Sequence, residues 1–551
     1  MNRKISLLFM LMTVFAIQLT AQHRATGAII DPETISKTPK KVALSFRSFR
    51  GMPAAYSLEK YCPTPGDQGN HGTCVAFANA YGLATILYAK THGITDKAII
   101  NKYIFSPTFL YEQIKNPADN ECQKGTDPIK AIYTLIDSGD ALLKTVPYAC
   151  GSSLSFYSKL EASLYRLNDL AVLFAAPGML NTTKYEVGPE DVINNTKKAL
   201  IEGTPVSTGF YLPASFFNIK SDVWYTKPDD TLSDWKHAGH AMLVVGYDDN
   251  KAGGAFRVMN SWGTGWGDGG FIWIRYSDFT KWCVLGLQAF ADPYSPVPDE
   301  MKPKEEPKTE PKPEPKPAPK PEPKPEPKPT PVPAPEPKPV PAPEAIFSLA
   351  GDVEFRLNNG DKMEVSKVST RNLMVEDDVP EADKKEDLVA YRMINTYGSG
   401  TKFRFYISTN DEVYIYAFAT DLTGKVNRIL PFDDMMSTHI GAHSVVAFPS
   451  DTKIVKMDEQ KGTDYMLILY SKEKLNATEI ANAMSNMKGG LSKKIKAALG
   501  DKLIDKSKIK YDADKPGFSV SGKMKNPAVE KAGDDVISGT VVPLMVELSH
   551  Q

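Results

Sequence analysis

Asp67-Gln68-Gly69-Asn70-His71-Gly72-Thr73-Cys74-Val75-Ala76-Phe77-Ala78 decides the reading of the first half of this chain. A glutamine amide stands ahead of a cysteine, and the cysteine leads into an apolar, alanine-rich run without proline. The run predicts a buried helix over 74–89 with Cys74 in its first turn. The positive end of a helix favours thiolate over thiol. Two stretches far downstream answer it: His240-Ala241-Met242-Leu243-Val244-Val245-Gly246-Tyr247 and Val258-Met259-Asn260-Ser261-Trp262-Gly263-Thr264-Gly265-Trp266-Gly267. Cys, His and Asn are the parts of a thiol nucleophile, its base and the group that orients the base. Taken singly, Cys74 reads as an inert core thiol, His240 as a strand-end histidine and Asn260 as a turn former. Together, with Gln68 ahead and glycine-rich turns behind, they favour chemistry.

These blocks resemble the papain-like cysteine peptidase family over roughly residues 55–290: Gln68 with Cys74-Val75-Ala76-Phe77, His240 with Gly246-Tyr247, and the run from Asn260 to Gly267. The resemblance implies Cys74 as nucleophile, His240 as its imidazolium partner, Asn260 as the residue that orients the ring, and Gln68 as an oxyanion-hole donor. Trp262 would shield the His–Asn contact. It implies hydrolysis of peptide bonds through a thioester, a peptide or protein substrate, and neither cofactor nor metal. Two positions depart from the family signature. His71 stands where a disulfide cysteine is usual, and Val75 stands where an aromatic follows the nucleophile. His71 reads as a polar residue of the approach loop. Two other classes compete. A non-peptidase thiol acyl-transfer enzyme, an amidase or transglutaminase-like, usually has Asp in place of Asn260 and lacks the Asn-Ser-Trp-Gly block. A catalytically silent binding protein typically loses the cysteine or the histidine.

Further helices are expected at 106–113, 127–138 and 154–162. After Gly203 the pattern turns to strands at 205–211, 241–247, 256–260 and 270–275. The expected fold class is α+β, and the family resemblance implies a papain-like two-lobe arrangement. A helical lobe carries Cys74, a β-barrel-like lobe carries His240 and Asn260, and the substrate groove lies between them.

Five cysteines are present. With Cys74 free, Cys62, Cys122, Cys150 and Cys283 allow three pairings, and an oxidising compartment permits them. The family resemblance favours Cys122 with Cys150, since Cys122-Gln123-Lys124-Gly125 and Pro147-Tyr148-Ala149-Cys150 resemble its Cys-x-Gly-Gly and Pro-Tyr…Cys elements. Cys62 with Cys283 is left as the second pair. No metal-ligand spacing accompanies these cysteines.

Composition divides the chain. Residues 1–21, with Arg3 and Lys4 ahead of a short apolar run, read as a signal peptide, so the product is exported, secreted or periplasmic, and soluble. No transmembrane segment is expected after its removal, since the apolar run is shorter than the roughly 20 residues needed to span a bilayer. Residues 22–54 form an extension whose Pro32, Pro39 and Pro53 argue against a helical pro-domain. Control by export and redox state, an enzyme made active, and a short extended pro-segment all remain open. The peptidase domain is placed at 55–292 and a Pro/Glu/Lys-rich linker at 293–344, an extended tether of about 3.1 Å per residue. A separate β-rich domain with a helix is placed at 345–551. Its strands are expected at 402–407, 412–419, 464–470 and 541–548. Its helix over 476–498 is opened by Asn476-Ala477-Thr478-Glu479 and broken at Gly489-Gly490. It resembles a bacterial β-rich domain found on secreted peptidases and reads as an interaction module of unknown partner. His439 and His443 fall in a loop pattern that does not suggest zinc. Lysines and arginines (65) balance aspartates and glutamates (66), and basic clusters are matched by acids, so no nucleic-acid partner is expected.

Overall fold

The long first helix starts at Cys74. It runs as Cys74–Ala76, widens to a π-helix over Phe77–Ala84 and closes as Thr85–Thr91. All its residues from Cys74 to Ala89 are buried, as a helix apolar on every side requires. Helices Pro107–Ile114 and Pro128–Asp137 pack around it. Each has a proline at its first turn and a capping side chain, Ser106 and Asp127, that accepts orphan backbone N–H groups. This computed structural model describes residues 24–180, 182–217, 219, 221–231, 239–301, 346–369, 388–420, 424–524 and 536–551. The expected signal peptide and most of the Pro-rich linker lie outside them.

Six strands form one antiparallel run in the order Leu167–Ala175, Cys283–Ala291, Val206–Tyr211, Gly239–Asp248, Ala255–Met259 and Phe271–Arg275. The first half is therefore α+β, with Cys74 on the helical side and His240 on a central strand. Leu167–Ala175 and Cys283–Ala291 escaped the sequence reading. Both are near-continuous apolar runs, buried along most of their length, so they lack alternation.

The second half packs two sheets face to face. One is ordered Ser444–Phe448, Lys402–Thr409, Ile346–Leu357, Gly517–Met524, Lys510–Tyr511. The other is ordered Val365–Ser369, Val389–Met393, Val541–His550, Gly462–Ser471, Val413–Thr420, Val426–Leu430. Alternation along Val413–Thr420 assigns its faces. Val413, Ile415 and Ala417 enter the core between the sheets, while Tyr414, Tyr416 and Phe418 meet the helices Ala477–Ser485 and Leu491–Leu499. Asn476 caps the first of these helices through the Glu479 N–H.

The two halves are not joined by a tether alone. Residues 24–50, hereafter the strap, belong to both. Asp31 caps a short helix, Pro32–Lys37, which buries Ile35 in the first core. Lys40 and Lys41 then pair with Met436 and Ser437 of the sandwich, and Lys40 pairs with Val172 on the other side. Val42 and Leu44 are buried in the core of the sandwich itself. Each such apolar side chain contributes about 1.5–3 kcal/mol on burial.

Candidate active site

The helix start, the central strand and the glycine-rich turn after Met259 converge. His240 Nε2 lies 2.8 Å from Asn260 Oδ1, and that oxygen also accepts the Ser261 N–H. His240 Nδ1 is buried with no hydrogen-bond partner among the described residues. The Ala241 N–H, next along the strand from His240, points at Cys74 Sγ at 3.4 Å. The Trp262 ring lies against the His240 ring, with centroids 4.8 Å apart. Gln68 is tied to the Asn260 turn twice: its N–H donates to the Ser261 carbonyl and its Oε1 accepts the Ser261 hydroxyl. The structure thus brings Gln68, Cys74, His240, Asn260 and Trp262 into one cluster, each at most 3% exposed.

Two supporting residues had no functional reading in the sequence. The Tyr148 hydroxyl donates to the Gln68 carbonyl and bonds the Thr73 hydroxyl, fixing the loop between Gln68 and Cys74. Ser261 links the amide of Gln68 to the turn that carries Asn260. Ser261 sits within the quoted motif, so its position was visible although its partner was not.

Cys122 and Cys150 are joined, with Cα atoms 5.9 Å apart. The bond pins the loop whose Cys122 carbonyl accepts the Gly72 N–H. Cys62 and Cys283 are not joined, which corrects the expected second pair. The Cys62 thiol turns back to the Leu58 carbonyl at the end of the short helical turn Glu59–Tyr61. The Cys283 thiol, at the start of its strand, turns to the Leu285 carbonyl. His439 and His443 also stand apart in role. His439 is buried between Phe290 and Tyr414, within reach of Asp169 and Glu412, and His443 sits in a turn at φ 53°.

The cluster is covered by the strap. The Gly27 and Ala28 N–H groups donate to the Gly239 carbonyl, one residue before His240. Ala28 bridges Thr126 in parallel: the Thr126 N–H donates to the Gly27 carbonyl and the Ile29 N–H to the Thr126 carbonyl. The Ala25 carbonyl accepts from both Gln68 Nε2 (3.2 Å) and Trp262 Nε1 (3.3 Å). Arg24 donates to the Trp262 carbonyl and lies over its ring. Glycines make the approach possible. A Cβ on Gly27 would strike the Gly72 carbonyl, and one on Gly125 would strike the Gly27 carbonyl.

Burial under this cover favours the neutral form of both reactive groups. Burial pushes the Cys74 thiol up to about 11, against the backbone N–H groups of Ala241, Gly27, Val75 and Cys74 that favour thiolate. Burial pulls His240 down to about 4, offset in part by Asn260. A thiol and an imidazole in these states are a poor nucleophile and an uncharged base.

Residues 59–291 match the profile of the papain family of cysteine proteases, and residues 396–474 match a domain of unknown function, DUF4384. Cathepsin K of Gallus gallus is 26% identical over 271 residues, 49% of this chain and 69% of that protein. Cathepsin J of Rattus norvegicus is 26% identical over 273 residues, 48% of this chain and 72% of its own. A peptidase C1-like protein of Acanthamoeba polyphaga mimivirus is 26% identical over 224 residues, 38% of this chain and 63% of its own. Among solved structures, xylellain, a cysteine protease from Xylella fastidiosa, superposes with a TM-score of 0.38 at 21% identity, over 49% of this chain and 96% of its own. No helix among the described residues is long and apolar enough to cross a membrane.

Proposed function

We propose that the papain-family cysteine peptidase domain carried by residues 59–291 hydrolyses peptide bonds through Cys74, and that the strap keeps it latent. The observation that carries the reading is the His240–Asn260 contact beside a thiol at a helix start. Asn260 holds Nε2, which leaves Nδ1 for the thiol. With the strap out, water and a peptide replace it, the burial penalty on both groups falls, and the proton moves from Cys74 to His240. The thiolate attacks the peptide carbonyl. The developing oxyanion takes the Gln68 amide and the Cys74 N–H, a donor set in which each member is worth about 10²–10³ in kcat. His240 protonates the leaving amine and then activates the water that releases the thioester. Asn260 fixes the ring without adding charge, and Trp262 screens that contact. The exported compartment expected from the sequence suits this activity, with protein or peptide as substrate.

The test uses the full chain with Gly27→Val, which unseats the strap from the cleft. That variant should cleave internally quenched peptides from a library, and adding Cys74→Ala or His240→Ala should abolish turnover. Ready alkylation of Cys74 without any hydrolysis would overturn the peptidase reading in favour of another acyl transfer or of a silent site.

A further inference from the structure

The cleft end of the strap is held there chiefly by backbone groups, and its other end is built into a different domain. Val42 and Leu44, two apart as on one face of a strand, lie in the core between the two sheets of the sandwich, and Phe49 packs against that core. The Ser45 N–H donates to the Val445 carbonyl, and the Ser48 hydroxyl both donates to that carbonyl and accepts the Val445 N–H. The Asp451 carboxylate accepts from the Ser45 hydroxyl and the Phe46 N–H. Arg47 pairs with Glu354 at 2.8 Å and lies 3.4 Å over the Tyr406 ring.

One buried polar node joins all three parts. Glu202 of the peptidase domain, its side chain 2% exposed, takes Lys41 of the strap at 3.1 Å and the Ser444 hydroxyl of the sandwich at 3.0 Å. Gln288 donates to the same carboxylate and accepts from Lys41. Lys198 reaches across to the Ala442 and His443 carbonyls. Burial works against a charge on Glu202, yet Lys41 and Lys198 hold its carboxyl below the usual range. A carboxylate so placed needs its partners, and two of them come from outside its own domain.

Between the two ends there is little slack. The helix Pro32–Lys37 fills most of the interval, its Ile35 is buried, and the Lys40 ammonium caps its last carbonyls at Ile35 and Ser36. A shift at residues 40–50 is therefore passed along a short rigid element to residues 24–30.

We propose that the C-terminal sandwich is the clamp of the strap: its binding surface is occupied by this chain's own residues 40–50, and that grip keeps residues 24–30 in the cleft. Latency is then a property of three parts, and weakening the sandwich's hold uncovers Cys74 without any change in the cleft. The inference rests on Cys74 lying under the strap, and its readout is access to the thiol, which does not require peptide hydrolysis.

The experiment follows alkylation of Cys74 by iodoacetamide in the full chain at neutral pH, with the modified peptide identified by mass spectrometry. Leu44→Ala should raise the rate at least tenfold. Arg47→Ala, at a partly exposed site where folding is not at stake, should raise it about threefold. Met484→Ala, on the helix Ala477–Ser485, opens a cavity in a core separate from the one that holds Val42 and Leu44 and should leave the rate within twofold of the parent. Unchanged rates in both strap variants overturn the proposal. So does a Met484→Ala rate equal to that of Leu44→Ala, since general loosening of the sandwich would then account for access. If Leu44→Ala fails to fold, Arg47→Ala against Met484→Ala decides alone.

Discussion

In the cleft the strap reads Arg24-Ala25-Thr26-Gly27-Ala28-Ile29-Ile30, and its seating runs largely through main-chain groups of Ala25, Gly27, Ala28 and Ile29. At the sandwich it reads Lys40-Lys41-Val42-Ala43-Leu44-Ser45-Phe46-Arg47, and there side chains do most of the holding: two in a core, one on a buried carboxylate, one on a surface acid and a ring. The first end suits release, since backbone bonds to a groove are readily replaced by those of a peptide or of water. The second is specific to its partner, because few other sequences would bring a lysine to Glu202 and two apolar residues to the sandwich core. A short extended pro-segment, one of three options the sequence left open, fits the first end. The second end had no counterpart in that list.

The sharpest break falls at the specific end. Lys41→Met leaves Glu202 buried with fewer partners, and stability in urea should drop by about 3 kcal/mol, the lower edge of the about 3–5 kcal/mol expected when one member of a buried pair is removed. Lys198, Gln288 and Ser444 remain and limit the loss. Adding Glu202→Gln should restore much of it. Unfolding followed by tryptophan fluorescence reports the first half of the chain, because all six tryptophans lie at or between positions 224 and 282. No loss in the single variant would mean that the node does not anchor the strap.

A smaller effect is expected at the other end. Gly27→Val forces a side chain into the Gly72 carbonyl, an overpacking of about 1–3 kcal/mol, so alkylation of Cys74 should speed up by about ten- to a hundredfold. Hydrogen exchange at Ser45 and Val445 should stay slow in this variant. Loss of protection at both ends together would show that the two ends form a single cooperative unit.

Acid separates the ends most gently. His240 is held below its ordinary value of 6.5, so its contribution to the closed cleft is complete above that pH and is lost as pH falls through about 4. His439 stands at the other contact, packed on Phe290 and between Asp169 and Glu412. Burial opposes its charge, but the two carboxylates raise it, so its contribution is complete below its ordinary value and is lost as pH rises through the raised one. In Cys74→Ala, whose opened cleft leaves His240 no thiol from which to take a proton, amide protection at Ala28 and Ile29, corrected for intrinsic exchange, should fall about tenfold between pH 7 and pH 5, while that at Ser45 holds or grows. Equal losses would contradict the opposite signs of the two histidines.

What could be read beforehand divides along the same line. The site cluster was legible because its residues sit in dense local patterns: a cysteine after Gln68 and before an apolar run, and Asn260 ahead of Ser261-Trp262-Gly263. The caps at Ser106, Asp127 and Asn476 are local too. The strap was not legible in this way. Val42-Ala43-Leu44 is too short to count as a strand, a seat made of backbone bonds leaves no residue signature, and Lys41, Glu202, Gln288 and Ser444 become a node only when three distant segments meet. Reading the Pro-rich run as a tether also left nothing to suggest that the domains touch. Cys62 and Cys283 show the reverse error: two cysteines left over by counting, each turned to a carbonyl of its own segment.

Arg50, Gly51, Pro53 and Ala54 are exposed, in the loop that leads from the strap into the strand Ala55–Ser57 of the first half. A single backbone cut there removes none of the contacts that hold residues 24–50. It removes only the connection, and with it the local concentration, on the order of millimolar for short links, at which a released strap returns to its seat. Before the cut, each opening is a first-order event that reverses by itself. After it, the strap is a bound inhibitor with a dissociation constant, recapture becomes second order, and dilution alone becomes a means of activation.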